Sequence, residues 1–542
     1  MDLVSRVLSA RNITPEERAT FLSPDYGHRH DPFLLPDMRQ AVDRLKVARE
    51  RQEKITIYGD YDIDGLTATT VLIEAFSAFG FKSVDAFIPN RFVEGYGLTV
   101  DAIERIAATG AQLIVTVDCG SLSHKEIERA NELGVDVIVT DHHNVADTPP
   151  PAVATINPKR LDHSYPFIDL AGVGVAFKLV QALQTELSGL EDGQEKWLLD
   201  LVALGTVCDV VSLKDENRLF VYFGLKVLAK TKRPGLKALM LVSGVEPAKV
   251  NSRSLGFMLG PRMNAAGRLE TAQHALDMLT TKDPLEALKY AQLLDDLNRA
   301  RRRDQDSIFK EAIVQAEAYK DHPVLVVSSK GWSHGIIGIV AAKLLEKYKK
   351  PTYVLEEMGE ESKGSARSYG DFSAADAIRA ADDLIIKGGG HKLAAGVTIR
   401  TENINAFRKR VNDFYLSQKL FNQPALLLPK ADADVSFTEL TKDAIGELSA
   451  LEPFGSGNPE PVFSTAGLLV ASKRHMGSEG QHIKLELKDA SGVGMHFISF
   501  NAPPQYVVEP GSKVRVWYSA GVNEWQGRET IEGMLLHLEV EE

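Results

Sequence analysis

Cysteine is scarce in this chain: there are two in 542 residues, Cys119 and Cys208. That excludes a disulfide framework and a Cys-rich zinc site, and a reducing, cytoplasmic setting is expected. No apolar run approaches the roughly 20 residues needed to span a bilayer. The opening Met1-Asp2-Leu3-Val4-Ser5-Arg6 lacks the long apolar segment of a signal peptide. Low-complexity tracts and internal repeats are missing too. Nor is there an excess of positive charge. The formal net charge of −12 argues against indiscriminate nucleic-acid binding but leaves room for a local basic groove. Carboxylates reserved for metal ions would add to that negative balance. What remains is an ordinary globular composition, 44% hydrophobic and 25% charged. The chain is too long for one core, and about two to four domains are expected.

What the chain does have is a recurrent pairing of apolar runs with metal-ligand chemistry. Ile55-Thr56-Ile57-Tyr58 runs into Gly59-Asp60-Tyr61-Asp62-Ile63-Asp64-Gly65. Alternate residues of an extended segment lie on one side, so Asp60, Asp62 and Asp64 can crowd together. Crowded carboxylates repel unless a hard divalent cation sits between them. An isolated D-x-D-x-D is as readily an acidic turn, but here the pattern repeats. Leu113-Ile114-Val115-Thr116-Val117 leads to Asp118-Cys119-Gly120, and Val135–Thr140 leads to Asp141-His142-His143. The carboxyl ends of strands in an open parallel sheet line one crevice, so the three clusters should converge there.

Residues 1–50 read as a helical N-terminal extension, with Thr14-Pro15-Glu16-Glu17 a helix start and Met38 to Gln52 a second amphipathic helix. Residues 51–283 form a first α/β domain, βαβ in its first half, with helical patterns at Ala102–Ala108 and His124–Leu133, and helical after Gly172. Residues 284–321 read as one long connecting helix whose basic knot Arg299-Ala300-Arg301-Arg302-Arg303 is expected to be solvated. A second α/β domain spans 322–420. In it Gly331-Trp332-Ser333-His334-Gly335 leads into a helix and can offer backbone amides to a phosphate. After Asn422-Gln423-Pro424, residues 424–542 carry five short alternating runs, the texture of a small OB-fold barrel. The sequence runs little beyond the last of them, so no further domain is expected there.

In this order the elements ending in Gly65, Gly120 and His143, with Gly205-Thr206-Val207-Cys208-Asp209, resemble the DHH phosphoesterase superfamily, named for its Asp-His-His element. Gly260-Pro261-Arg262-Met263-Asn264-Ala265-Ala266-Gly267-Arg268-Leu269 and Leu451–Pro461 resemble elements of its bacterial single-strand exonuclease branch. Gly364-Ser365-Ala366-Arg367-Ser368 and Gly389-Gly390-His391 resemble the DHH-associated domain. The resemblance implies an α/β fold of two domains, DHH and DHH-associated, joined by a long helix and followed by an OB-fold barrel. It implies a metal-dependent 5′→3′ exonuclease that hydrolyses single-stranded DNA to 5′-mononucleotides in recombination and repair. Two divalent cations, Mn²⁺ or Mg²⁺, would be held by Asp62, Asp64, Asp118, His142 and Asp209, with Asp118 as the bridge. Asp60 would ligate or orient water, His143 would face the scissile phosphate, and Asp141 would set an imidazole tautomer. Arg91, Arg268, Ser365 and Arg367 would take the terminal 5′-phosphate or adjacent backbone. Tyr96 would stack on a base, Arg262 and Asn264 would hold backbone further along, and His391 would meet the substrate.

In the barrel Trp517, Tyr518, Trp525, Lys473 and Arg474 are available to a strand, though Trp517 is as readily a core residue. Partners implied are single-stranded DNA with a 5′ end, a single-strand-binding protein and a helicase, for a monomer away from membranes. Three departures from the family pattern bear on local shape: Asn144-Val145-Ala146-Asp147, Ser212-Leu213-Lys214 and Lys392-Leu393. Two rival functions are a small-substrate phosphoesterase acting on oligonucleotides or adenosine bisphosphate, and a non-catalytic single-strand-binding scaffold. The appended barrel speaks against the first, and retention of every ligand position against the second.

Overall fold

Five strands build the first sheet, and all its pairings are parallel: β1 (Ile55–Gly59), β2 (Val84–Phe87), β3 (Leu113–Val117), β4 (Asp136–Thr140) and β5 (Ala154–Ile156), in the order 2-1-3-4-5. The computed structural model describes residues 2–418, 428–477, 480–503, 506–525 and 527–541; the linker Asn422-Gln423-Pro424 lies outside them. β1 and β3 are buried along their whole length, as a parallel strand covered on both faces must be. Ile55, Ile57 and Val115 face one core with the helices Met38–Arg51, Ile63–Ala78 and Gly172–Glu186. Tyr58, Ile114 and Val137 face the other, with Val100–Ala108 and His124–Glu132. The strand order reverses between β1 and β3, so the chain diverges from the carboxyl ends of those two strands and leaves a crevice there.

The second sheet, β6 (Leu325–Lys330), β7 (Thr352–Glu357), β8 (Glu361–Arg367), β9 (Ile385–Gly390) and β10 (Ala394–Arg400), runs in the order 6-7-8-10-9. Only β6 and β7 are parallel; the other pairs are antiparallel. The long helix Pro284–Ala318 joins the two sheets and is about 52 Å long at 1.5 Å per residue. It starts as sequence chemistry dictates, with the Asp283 carboxylate accepting from the Leu285 N–H and Pro284 in the first turn. Its Ile308, Ala312 and Ala316 pack under β6 and the helix Ile337–Tyr348.

The third unit is a closed barrel. β11 (Ala433–Asp434), β12 (Phe463–Met476), β13 (His482–Lys488), β14 (Gly494–Ser499), β15 (Lys513–Trp525) and β16 (Arg528–Val540) run 11-12-13-14-16-15, and a β12–β15 pairing closes the ring. The five expected runs are its walls. The two-residue β11, paired with β12, has too few residues to show an alternation in sequence.

The N-terminal helices do not form an extension of their own. Leu3–Ala10 and Pro15–Leu22, the latter opened by a Thr14/Glu17 capping box, bring Leu3, Val7 and Leu8 into the barrel core beside Leu451, Phe463 and Val516. Arg11 bonds both Asp432 carboxylate oxygens at 2.9 Å and Asn458 at 2.6 Å. Arg218, from the first domain, seals this junction. Its guanidinium donates to the carbonyls of Phe21, Leu451, Glu452 and Pro453 and stacks on the Phe21 ring. No helix among the described residues is long and apolar enough to cross a membrane.

Candidate metal centre and phosphate cleft

Each strand of the crevice delivers its acids by a different local device. Just past β1, Asp62 caps the helix Ile63–Ala78: one carboxylate oxygen accepts from Asp64 N at 2.9 Å and Gly65 N at 3.2 Å. Asp64, in that helix's first turn, reaches the start of helix Gly172–Glu186 and accepts from Gly172 N at 2.6 Å and Val173 N at 2.9 Å. Past β3, Asp118 takes a left-handed backbone (φ 61°), a conformation costly for a residue with a Cβ and typical of functional turns. Only glycine fits opposite: a Cβ on Gly172 would lie 2.7 Å from Asp118 Cβ. Past β4, Asp141 accepts from the N–H groups of Ser121, His142 and His143 and holds His143 Nδ1 at 2.8 Å. Asp209 arrives from another direction, at the end of helix Leu199–Cys208.

These devices bring the ligand atoms together. His142 Nε2 lies 3.1 Å from Asp118, 3.6 Å from Asp209 and 3.8 Å from Asp64. Three sets of ligand atoms each fall within 4.8 Å of one another: Asp60/Asp62/Asp118, Asp64/His142/Asp209 and Asp118/His142/His143. Asp118 and His142 each belong to two of the sets. Asp60 Oδ1, Asp118 Oδ1 and His142 Nε2 are buried with no hydrogen-bond partner. Orphaned buried polar atoms carry a desolvation cost of about 1–3 kcal/mol, more for charged groups. Two carboxylates 4 Å apart repel by roughly 4 kcal/mol at an effective dielectric of 20.

The protonation equilibria register that strain. Burial, then the Asp62 charge, pushes Asp64 up to about 7. Burial and the charges of Asp64 and Asp62 push Asp209 up to about 9. Asp60 and Asp118 are raised for the same reasons. Burial, reinforced by His143, pushes His142 down to about 3, which keeps its imidazole neutral, the form that ligates metals. Asp141 behaves oppositely: burial would raise it, but its bonds from His143 and the backbone hold it below the usual carboxylate range. An oxygen-rich set with one neutral imidazole and unpartnered inward atoms fits a divalent ion of the Mg²⁺ or Mn²⁺ kind.

The opposite wall is cationic. Arg91 lies over the Tyr61 ring, 4.2 Å from its centroid, and its Nε is buried without a partner. Arg268 donates to the Gly335 carbonyl at 3.0 Å, which ties the first domain to the loop preceding helix Ile337–Tyr348. Arg367 on β8 donates to Ser365 Oγ at 3.1 Å and to the Ala366 carbonyl. Burial, then the charges of Arg91, Arg301 and Arg367, pushes Arg268 down to about 10. Tyr96, 55% exposed, meets the His143 ring edge to face at 5.7 Å. His391 reaches across to Asn144, with 3.4 Å between Nδ1 and Nδ2, so the departing sequence after the Asp-His-His element touches the second domain.

Some expected residues are placed otherwise. Arg262 bonds Asp295 at 2.8 Å and the Met258 carbonyl at 2.7 Å, so its guanidinium locks two helices together instead of facing a strand. Asn264 lines an adjoining cavity that the cleft shares through Arg268. Tyr518 is wholly buried in the barrel core and hydrogen-bonded with Thr465, Trp517 is half-buried between His537 and Arg515, and Lys473 is paired with Glu509. Arg474 is exposed, and the side chain of Trp525 lies outside the described residues. Residues that sequence reasoning missed include Tyr61, whose neighbours at 60 and 62 drew the attention, and Arg301. The signal for Arg301 lay in its helix face: Asn298 and Gln305, three residues before and four after, are polar yet buried.

Family models agree with this layout. The DHH family N-terminal domain matches residues 54–206, the DHHA1 domain 321–416 and the RecJ OB domain 431–537. The single-stranded-DNA-specific exonuclease RecJ of Bacillus subtilis (strain 168) is 37% identical over 546 residues, covering 100% of this chain and 68% of that protein. The RecJ of Dickeya dadantii (strain 3937) is 36% identical, covering 94% and 91%. A crystal structure of RecJ in complex with Mn²⁺ from Thermus thermophilus superposes with a TM-score of 0.82 at 30% identity, covering 99% of this chain and 78% of that one. A likeness of this extent, across both α/β domains and the barrel, has one conclusion: the chain belongs to the RecJ family of single-stranded-DNA-specific exonucleases.

Proposed function

We propose that this chain is a divalent-metal-dependent exonuclease that hydrolyses single-stranded DNA from its 5′ end and releases 5′-mononucleotides, in DNA recombination and repair. The observation that carries the reading is the facing of two unbalanced walls, buried carboxylates without cations and arginines without carboxylates. A phosphodiester held between them satisfies both. Asp62, Asp64, Asp118, His142 and Asp209 would hold two Mn²⁺ or Mg²⁺ ions, with Asp60 beside them, and such a pair supplies an activated water and a clamp on the leaving oxygen. His143, fixed by Asp141 through Nδ1, keeps Nε2 for the scissile phosphate. Arg91, Arg268, Ser365 and Arg367 take the terminal 5′-phosphate, which sets the polarity; His391 closes on it from the second domain. Tyr96 supports the first base and the His143 ring.

The protein would act as a cytoplasmic monomer beside a helicase that exposes the strand and a protein that coats it. The test is hydrolysis of end-labelled single- and double-stranded DNA of each polarity, with Mn²⁺ or with EDTA. Mononucleotide release from 5′-labelled single strands in Mn²⁺ alone is expected. Equal attack on duplexes, or activity in EDTA, would sink the reading.

A further inference from the structure

Arg301 is a half-buried cation that the proposed mechanism leaves unused. It lies on the connecting helix between Arg299, which is exposed and paired with Asp295, and the exposed Arg302 and Arg303. Its guanidinium is aimed by neutral amides, Asn298 Oδ1 at 3.0 Å and Gln305 Oε1 at 3.3 Å, and its Nε is buried with no partner. Among the described residues no carboxylate pairs with it. The nearby Asp306 bonds Lys343 instead. An arginine half-buried beside another arginine, without a counter-ion, is costly to keep unless an anion visits it.

The surroundings say which anion. A cavity of about 630 Å³ has Arg268, Arg301 and Asn264 on one side, and its wall holds Phe257, 73% exposed. Arg91, Ser365 and Arg367 are not part of it. The cavity begins beside the acids, at Ile63 and Cys208, and extends to Glu452–Glu460 at the entrance to the barrel. Arg268 therefore stands at a junction, with the terminal-phosphate group on one side and Arg301 on the other.

We propose that Arg301 holds an internucleotide phosphate beyond the scissile one, distinct from both it and the 5′-terminal phosphate, in a cavity through which the strand leaves toward the barrel. This rests on the exonuclease reading. Asn264 would add a neutral donor, and Phe257 an apolar face for the neighbouring base.

The test compares Arg301→Ala with the exposed control Arg302→Ala in the full-length protein with Mn²⁺, on 5′-phosphorylated di- and hexathymidylate and on the hexamer with a 5′-hydroxyl. One charge-assisted phosphate contact corresponds to about a 10- to 150-fold loss. That loss is expected in kcat/KM for the hexamer, mostly through KM. It should be smallest for the dimer, which has no phosphate beyond the scissile one, and the preference for a 5′-phosphate should be retained. Removing an uncompensated cation should leave Tm unchanged or raise it. Equal loss on dimer and hexamer with collapse of the 5′-phosphate preference would overturn the proposal and move Arg301 into the terminal pocket. A lower Tm with uniform loss would assign it a structural role, and hexamer kinetics equal to those of Arg302→Ala would leave it none. A wild-type protein that cuts neither oligonucleotide would instead overturn the exonuclease reading.

Discussion

The two walls of the cleft differ in sign but share a defect. Away from the cleft several buried charges are matched by an opposite charge: Arg233 lies between Asp200 and Glu74, Arg44 between Glu53 and Asp136, and Lys178 against Glu216. At the cleft neither wall is matched within itself. The acidic wall is built within one domain, with Asp62 and Asp64 anchored at helix N-termini and the other acids placed past strand or helix ends. The basic wall is assembled from three separate elements: the loop after β2, the helix Gly260–Leu269 and β8. The acidic wall therefore sets where chemistry happens, and the basic wall sets which end of which strand is presented. Changes on the first should abolish turnover, and changes on the second should redistribute it among substrates.

The largest effect is expected at Asp118. Asp118→Ala removes the one carboxylate common to two ligand sets, so hydrolysis should vanish in any divalent ion while strand binding, measured by anisotropy, survives. Wild-type-like turnover would break the division between the walls. On the basic side, Arg268→Ala and Arg367→Ala should each cost about 10- to 150-fold on 5′-phosphorylated strands, from roughly 1.5–3 kcal/mol per charge-assisted bond. The ratio of 5′-phosphate to 5′-hydroxyl rates should shrink with it. An unchanged ratio in both variants would show that the arginines do not read the strand end.

Deleting the barrel tests how far the basic side extends. A chain cut after residue 418 uncovers Leu3, Val7 and Leu8, so the better variant also lacks the first two helices. Cleavage of very short oligonucleotides should persist, while affinity for longer strands should fall about 5- to 150-fold for each base stack lost. A folded variant with no length dependence would mark the barrel as a protein-docking module.

The smallest effect concerns pH. Asp64 and Asp209 have folded-state pKa values of about 7 and 9, far above the ordinary carboxylate value, so the folded protein binds protons that the unfolded chain releases. Without metal, stability should rise as pH falls from about 9 to 6.5. Below 6.5 His142, held neutral by burial, acts in the opposite direction. Mn²⁺ should flatten the slope by replacing the protons. A metal-free Tm that rises between pH 6.5 and 9 would contradict the repulsion argued for the acidic wall.

Much of this was legible in the residues. The three strand-to-acid transitions name the crevice because a parallel sheet leaves few places for their carboxyl ends. The long helix is marked by Asp283-Pro284 and an unbroken run of helix formers. What was not legible depends on contacts between distant segments. The amphipathic face of Leu3, Val7 and Leu8 is plain in sequence, but nothing local says that its partner lies at the far end of the chain. Arg262 and Arg268 share one helix and one motif, yet Asp295 takes the first and leaves the second to the cleft. The basic knot reads as a solvated face because a helical wheel does not show which third of it another domain covers.

The junction at Arg218 also bears on synthesis. Leu3, Val7 and Leu8 pack in the core of the barrel, whose strands are translated hundreds of residues later, so they wait on the ribosome until it is made. At about 5–20 residues per second the interval is roughly 20–90 s. Arg218 is translated midway and has its four carbonyl acceptors only when both ends of the chain are in place. Throughout that interval the growing chain carries the apolar face of Leu3–Ala10 uncovered, until the barrel closes over it.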